Sequence, residues 1–212
     1  MNKLIIIGAG GHGRVVADCA ELNGYREIEF LDDCYPERTT TGKWQVIGKV
    51  SDWQKYLNNT DFIVAFGNNV LRSKTISLLQ KNDINLISLI HPKAVLSTDI
   101  ILGQSCVVLA NAVINIGSTV NDGCIINTSA TVDHDCHLAK CVHISPGANI
   151  AGGVKVGAFS WIGIGSAVIE YISLGINTKT GAGAVITAPT DENALYVGIP
   201  AKKIKSLESV SN

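Results

Sequence analysis

From Leu96 to Ile186 every sixth residue is drawn from a narrow set: Leu96, Leu102, Val108, Ile114, Val120, Ile126, Val132, Leu138, Ile144, Ile150, Val156, Ile162, Val168, Leu174, Thr180 and Ile186, of which fifteen of sixteen are aliphatic. The residue two places earlier is restricted as well, and from Cys106 to Cys136 it reads Cys, Ala, Ser, Cys, Ala, Cys. A period of six fits neither a helix at 3.6 nor an alternating strand at 2. It is the hexapeptide repeat of a parallel β-helix. Each hexad makes one short strand and one bend, and three hexads, about 18 residues, close a triangular coil. The aliphatic residue points inward and stacks on its counterparts in adjacent coils. The small residue packs near the corner. A single coil cannot bury its apolar face, so the coils must stack.

The repeat also sorts the cysteines. Cys106, Cys124 and Cys136 fall on the small-residue position, so they read as buried packing residues, and no Cys-x-x-Cys pair suggests zinc or redox chemistry. Hydrophobic residues make up 46% and charged residues 17%, which is a globular composition. A net charge of −1 offers no basic field for nucleic acid and no polybasic run for a membrane surface. The apolar start breaks at Gly8 and no cleavage pattern follows, so no secretion signal is expected. No apolar stretch is long enough for a membrane span. The expected compartment is the reducing cytoplasm.

Ahead of the repeat, residues 3–7 read as a buried strand and Arg14 to Leu22 as a helix ending near Gly24. Glu27 to Leu31 reads as a second strand and Phe62 to Phe66 as another; Leu71 to Gln80 reads as a helix and Ile84 to Ile90 as a last strand. The expectation is an α/β domain over residues 1–90, Rossmann-like with a parallel sheet, followed by the β-helix domain over 91–212. His91-Pro92 marks the boundary, and the last eight residues are expected to fray. The turn Gly8-Ala9-Gly10-Gly11-His12-Gly13 has the Gly-x-Gly-x-x-Gly spacing, with Asp32-Asp33 about twenty residues on. What the turn offers physically is backbone N–H groups at a helix N-terminus, which bind phosphate. The domain is too short for two mononucleotide halves, so a nucleotide is expected rather than NAD. A tight turn with no ligand remains the alternative, as does a capping role for His12 and a solvated turn for Asp32-Asp33.

Within the repeat, Asp133-His134-Asp135 with His137 and His143 is the pointed cluster. Val132 points inward, so His134, two places later, lies at a corner on the outside. An imidazole held by a carboxylate is a competent general base near neutral pH. The spacing leaves open whether the corner brings Asp135 to the ring or turns it away. His137 reads as a bystander. A three-histidine zinc site is the rival, and no metal is the expectation.

These motifs together carry a resemblance. Gly8 to Gly13, Phe30-Leu31-Asp32-Asp33, Gly67-Asn68-Asn69, Leu89-Ile90-His91, Asn127-Thr128-Ser129, His134-Asp135-Cys136, His143-Ile144-Ser145 and Val197-Gly198-Ile199-Pro200-Ala201-Lys202 stand in the order found in the bacterial sugar acetyltransferases that place a small nucleotide-sugar-binding domain before a left-handed β-helix. The chain most resembles the UDP-N-acetylbacillosamine-type N-acetyltransferases, with the sialic-acid O-acetyltransferases as relatives. The resemblance implies a left-handed coil, a homotrimer, and acetyl-CoA as co-substrate. It implies transfer of the acetyl group to the 4-amino group of a UDP-linked amino-deoxy sugar for surface glycan synthesis. It implies His134 as general base with Asp135 beside it, where relatives have Glu. His143, Ile164 and Ala182 match positions near CoA, and Gly10, Gly11, His12, Asp32, Asp33 and Gly67 match positions that hold the nucleotide sugar. Two departures bear on the sugar: Pro146 replaces a less restrictive aliphatic residue, and the segment Cys34 to Asp61 is longer. Two other readings stay open, an O-acetyltransferase acting on a sialic acid or related sugar, and a non-catalytic nucleotide-sugar-binding protein.

Overall fold

The structure, a computed structural model, describes residues 3–210. Met1 and Asn2 at the head of the apolar run, and Ser211 and Asn212 at the end of the tail, lie outside the described residues. The chain divides between Pro92 and Lys93 into two compact units.

The first unit is built on a sheet in the order β3-β4-β2-β1-β5. These are β1 (Lys3–Ile7), β2 (Ile28–Leu31), β3 (Thr40–Thr41), β4 (Trp44–Gly48) and β5 (Thr60–Val64). Strands β4, β2, β1 and β5 run parallel, and β3 turns back antiparallel on β4. Leu4 to Ile7 are wholly buried because helices cover the sheet, as a continuous aliphatic run in a parallel strand requires. Helix α1 (Gly11–Leu22) starts three residues before the expected Arg14, since the glycine turn itself enters the helix; it packs through Val16, Ala17, Cys19 and Ala20. Helix α2 (Asn69–Gln80) also starts early, at the cap Asn68, whose Oδ1 accepts the N–H groups of Val70 and Leu71, both at 3.0 Å.

Two expectations need correction here, and one element was not expected. The strand read over Ile84–Ile90 is not continuous. It makes one parallel bridge, Phe62 to Leu86, and a separate two-residue strand at Leu89–Ile90. The β3–β4 hairpin, inside the longer 34–61 segment, was not read at all; Thr40-Thr41 and Trp44 to Gly48 have no strict alternation to reveal it. The fraying expected of the last eight residues fails for Lys205 to Glu208. Ala201–Ser206 forms a hairpin with Ala194–Gly198, Leu207 N–H donates to Asn193 O at 2.7 Å, and Asn177 Nδ2 reaches Glu208 O at 3.1 Å.

The second unit is a β-helix of two-residue rungs. Each rung from Val95–Leu96 to Ala167–Val168 pairs in parallel with the one eighteen residues on, as Val113–Ile114 with Thr131–Val132 and Ile125–Ile126 with His143–Ile144. The rungs stack into three faces. Face 1 holds the rungs ending at Ile114, Val132, Ile150 and Val168; face 2 those ending at Val120, Leu138, Val156 and Leu174; face 3 those ending at Val108, Ile126, Ile144 and Ile162. The second residue of each of these rungs is 0–3% exposed, so the aliphatic ladder is the core. Each bend from Ser105 to Gly183 places one residue in the left-handed region, every six residues, and eight of these are not glycine. Each costs roughly 1–2 kcal/mol, offset by the ladder hydrogen bonds on both sides.

The small-residue column does more than leave room. Cys106 Sγ donates to Asn121 O at 3.2 Å, Cys124 Sγ to Ala139 O at 3.1 Å and Cys136 Sγ to Ala151 O at 3.2 Å, while Ser118, Ser160 and Ser166 hydroxyls make the same step to the carbonyl fifteen residues on. The column therefore satisfies bend carbonyls that the rungs leave over. Burial also pushes the Cys136 thiol up, away from the reactive thiolate. Among the described residues no helix is long and apolar enough to cross a membrane.

Candidate active site

The bend after the rung Thr131–Val132 carries Asp133, His134 and Asp135. Asp135 occupies the left-handed position, φ 58°, which Asp tolerates better than most residues. That backbone turn brings its carboxylate to the ring: His134 Nδ1 lies 2.9 Å from Asp135 Oδ2. Asp133 faces the other way. Its Oδ1 accepts the His134 N–H and Asn115 Nδ2, each at 2.8 Å. Asn115 stands one coil earlier in the stack, so the bend is tied to its neighbour before the imidazole is placed.

The electrostatics follow. The hydrogen bond to Asp135 raises the His134 pKa above its ordinary 6.5, against partial burial, and the charges of Asp133 and Asp135 add to it. Asp133 is held below the usual carboxylate range by Asn115 and by the His134 N–H. With Nδ1–H donated to the carboxylate, Nε2 keeps its lone pair for a proton from outside. The His134 side chain is 43% exposed, so the ring belongs to the surface of the coil and not to its core. Asp135→Asn is expected to lower the His134 pKa toward 6.5, read by NMR titration of the imidazole; an unchanged midpoint would show that the carboxylate does not govern the ring.

His143 is built differently. It is the outward residue of a face 3 rung, yet only 7% exposed, because Trp161 one coil on lies against it with ring centroids 4.8 Å apart. Asn127 Nδ2 sits 3.0 Å from His143 Nε2, and Asn127 Oδ1 accepts the Thr128 N–H at 2.8 Å. The amide nitrogen therefore faces the ring, and Nε2 is the acceptor. Ile164 and Ala182 follow on the corner between faces 3 and 1, eighteen residues apart and both exposed, with Pro146 eighteen residues before. Their column is a continuous ladder: Gly165 N–H donates to Pro146 O at 3.0 Å and Gly183 N–H to Ile164 O at 2.8 Å. So the structure brings His143, Ile164 and Ala182 to one side of the coil.

It does not bring His143 to His134. The His134 bend is the corner between faces 1 and 2, and the edge of a triangular coil opposite that corner is face 3. Val132, Leu138 and Ile144 fill the interior between them. His137 is exposed on face 2. Between the His134 corner and the Ile164–Ala182 corner lies face 1, which carries a groove of about 510 Å³ lined by Val113, Thr131, Asp133, Asn149, Ala167 and Glu170, among others. Thr131 Oγ1 donates to Asn149 Oδ1 at 2.9 Å along its floor. Asn115, Thr131 and Asn149 were missed in the sequence. For Thr131 and Asn149 the signal was there: the outward position of the face 1 rungs lacks Lys and Arg while faces 2 and 3 have Lys155 and Lys179; Asn115 lies in the bend after its rung.

The first unit presents a second constellation. Gly10 caps α1 and Gly11 opens it, and a side chain at either would meet nothing within 4 Å, so their backbone is open. A cavity of about 320 Å³ is lined by Gly10, Gly11, Arg14, Arg38, Thr40, Thr41 and Gly42, with Ala9. Thr41 Oγ1 donates to Ala9 O at 2.8 Å and Arg38 Nη1 to the same carbonyl at 3.4 Å, so the longer segment folds over the turn. Two guanidinium groups beside a helix N-terminus favour an anion. Arg14 enters the sequence reading only as the start of a helix, and Arg38 and Thr40 not at all, because nothing in the spacing marks the three as one site.

The other residues singled out there lie around this cavity, not in its lining. Asp32 Oδ2 accepts the Ala9 N–H at 2.7 Å and Oδ1 the Cys34 N–H at 2.9 Å. Burial works to raise its pKa, but those two N–H donors outweigh it and leave the carboxyl below its usual range. Asp33 Oδ1 accepts the Val50 N–H at 3.1 Å. Both carboxylates thus brace the turn and the strand ends. The His12 imidazole is pushed down to about 4, first by burial and then by the charge of Arg72, so it is neutral. Its Nε2 is buried with no hydrogen-bond partner among the described residues. Arg72 is fully buried and donates to Phe66 O and to Asn69 Oδ1, both at 2.7 Å, which fixes the loop at Gly67. Among the described residues no group of three or more His, Cys, Asp or Glu is placed to hold a metal.

Residues 3–79 match the model of the PglD N-terminal domain. The chain is 30% identical over 113 residues to the UDP-N-acetylbacillosamine N-acetyltransferase of Bacillus subtilis (strain 168), an alignment that covers 52% of each protein, so it spans about half the length of that curated relative. Among solved structures it is similar to the acetyltransferase domain of PglB from Neisseria gonorrhoeae FA1090, at 42% identity and a TM-score of 0.92, covering 96% of this chain and 100% of that one. That domain has also been solved in complex with acetyl coenzyme A. PerB from Caulobacter crescentus, in complex with CoA and GDP-perosamine, is 32% identical with a TM-score of 0.88, covering 97% of this chain and 98% of that one.

Proposed function

Because the chain belongs to the family of nucleotide-sugar acetyltransferases, we propose that it transfers the acetyl group of acetyl-CoA to the 4-amino group of a UDP-linked amino-deoxy sugar, with His134 as general base, for surface glycan synthesis. The observation that carries this reading is the 2.9 Å pair of His134 Nδ1 and Asp135 Oδ2, which leaves Nε2 as an acceptor on the surface of the coil. The co-substrate follows from relatives solved with acetyl coenzyme A or CoA.

The steps balance simply. The neutral amine attacks the thioester carbon, a C–N bond forms, and the carbonyl oxygen takes up negative charge. His134 Nε2 accepts the proton that the amine must lose. The tetrahedral intermediate collapses, the C–S bond breaks, and the imidazolium returns the proton to the CoA thiolate. His143 or a backbone N–H can stabilise the oxyanion. No acyl-enzyme is needed, which agrees with buried cysteines that serve the corner ladder. The remaining rate comes from holding two large substrates together.

The nucleotide sugar is assigned to the first unit: Gly10 and Gly11 with Arg14 and Arg38 toward the diphosphate, and His12, Asp32, Asp33 and Gly67 around it. The CoA arm is assigned to His143, Ile164 and Ala182. Since one chain keeps His134 and His143 on opposite sides of its core, a site that uses both takes them from two copies. A homotrimer of left-handed coils, packed about an axis parallel to the coils, supplies that arrangement three times over. The cytoplasm, where the acyl donor is made, is the compartment the reaction fits.

A substrate panel tests the reading. UDP-, dTDP- and GDP-linked 4-amino sugars are mixed with acetyl-CoA and the release of free CoA is followed. Turnover is expected with the UDP-linked sugar and not with its 4-hydroxy analogue. Release from the hydroxy analogue alone would make the protein an O-acetyltransferase, and no release from any member would remove the assignment.

A further inference from the structure

The eighteen-residue register sets a specific residue over the His134 ring. The column through His134 reads Thr98, Ile116, His134, Gly152 and Glu170. The same bend position therefore accepts a branched aliphatic one coil earlier and a glutamate two coils later. Only directly after His134 is it glycine. Gly152 does not adopt a left-handed φ, so its backbone does not call for glycine. What forbids a side chain is the imidazole: a Cβ built on Gly152 would collide with His134 Nε2 and Cε1, and would come within 2.9 Å of Cδ2. On the Asp135 side a Cβ on Gly117, one coil before, would collide with Asp135 Oδ1, but there a left-handed φ of 72° already favours glycine, so Gly152 is the one whose bareness the ring alone explains.

We infer that Gly152 is a positioning residue: its bare backbone, held one coil beyond His134, is the surface on which the imidazole lies, and it fixes Nε2 for proton transfer while Nδ1 stays on Asp135. The backbone of this support is rigid. Gly153 N–H donates to His134 O at 2.8 Å and Gly152 O accepts the Tyr171 N–H at 2.9 Å, so the coil cannot yield to make room. The ring can, because it is the half-exposed end of a flexible side chain. A methyl group at position 152 therefore swings the imidazole off Asp135 and leaves the fold in place.

The inference rests on the base assignment above, and Gly152→Ala in the full chain tests it with two readouts. Turnover is expected to fall about 100-fold, the scale of a misplacement of about 1 Å, with KM for acetyl-CoA and the thermal midpoint unchanged. The NMR titration of His134 is expected to drop toward that of the Asp135→Asn protein. In a His134→Ala background, adding Gly152→Ala is expected to change turnover no further, and if the single variant folds poorly, the same double variant is expected to restore the fold, since the obstacle is gone. A wild-type His134 titration in Gly152→Ala, a further loss in the double variant, or a double variant that still fails to fold would each overturn the inference. The titration needs no acetyl transfer, so the positioning role is decided even if the substrate panel fails.

Discussion

Replacing His134 with alanine is expected to lower kcat for acetyl transfer about 10²–10⁴-fold, the range of a single general base. The loss falls on kcat because the imidazole acts on the amine proton, whose transfer matters in the transition state and not in binding. KM for acetyl-CoA is expected to hold, because His143, Ile164 and Ala182 sit on other parts of the coil. In the wild type, kcat/KM falls as pH drops through the His134 pKa, since an imidazolium cannot accept a proton. That pKa is raised, so the acid limb lies above 6.5. The variant loses this limb, and its deficit narrows at high pH, where hydroxide and the free amine carry more of the reaction. Steady-state rates from pH 5.5 to about 9.5, with the amino sugar varied from below KM to saturation so that kcat and kcat/KM are both read, make the test. A variant within threefold of wild type across that range would falsify the assignment of the base.

Gly13→Ala is expected to unfold the first unit at a much lower temperature while sparing the β-helix. Gly13 is buried in the first turns of α1, and a Cβ there would collide with the Gly8 carbonyl oxygen and lie 3.1 Å from the Phe30 ring. The ring can turn aside; the carbonyl cannot, because it belongs to the residue directly after β1, whose N–H is held by Leu31 O at 2.9 Å. The helix must lift off the sheet, loosening Val16, Ala17 and Ala20 against a strand that is wholly buried. Overpacking costs roughly 1–3 kcal/mol, and a clash with a fixed backbone oxygen belongs at the top of that range, about 3 kcal/mol. For a domain of this size that lowers the midpoint by roughly 12–24 °C. Calorimetry should show one transition moved and one retained, and affinity for the nucleotide sugar should fall, since Gly10 and Gly11 move with the helix. A first transition displaced by less than about 3 °C would mean that helix and strand separate without cost.

The two units were not equally legible. In the β-helix the inward residue is chosen by one physical demand, burial of a stacked ladder, repeated every six residues. The period therefore states the rung, the bend, the coil length and the outward direction of His134. The first unit offers no such repetition. Its β1 and the glycine turn were readable because a buried strand and a tight turn each need distinctive residues. The β3–β4 hairpin was not, since Trp44 to Gly48 is held by pairing with β2 on one side and Thr40-Thr41 only by pairing with β4. Arg14 and Arg38 are 24 residues apart in the chain, and only the fold of that segment over Ala9 puts both on one cavity.

Local chemistry written in the chain settles the ladder, the corner cysteines, the helix N-terminus at Gly10–Gly11 and a histidine outside the core. Tertiary structure decides which groups meet. The left-handed backbone at Asp135 turns its carboxylate onto His134. The eighteen-residue register sets Gly152 beside that ring. The triangular section of the coil puts His143 on the side away from it. Each of these is a distance between residues whose separation along the chain carries no energy of its own, so it is set by the stacking of coils and not by the composition of any one of them.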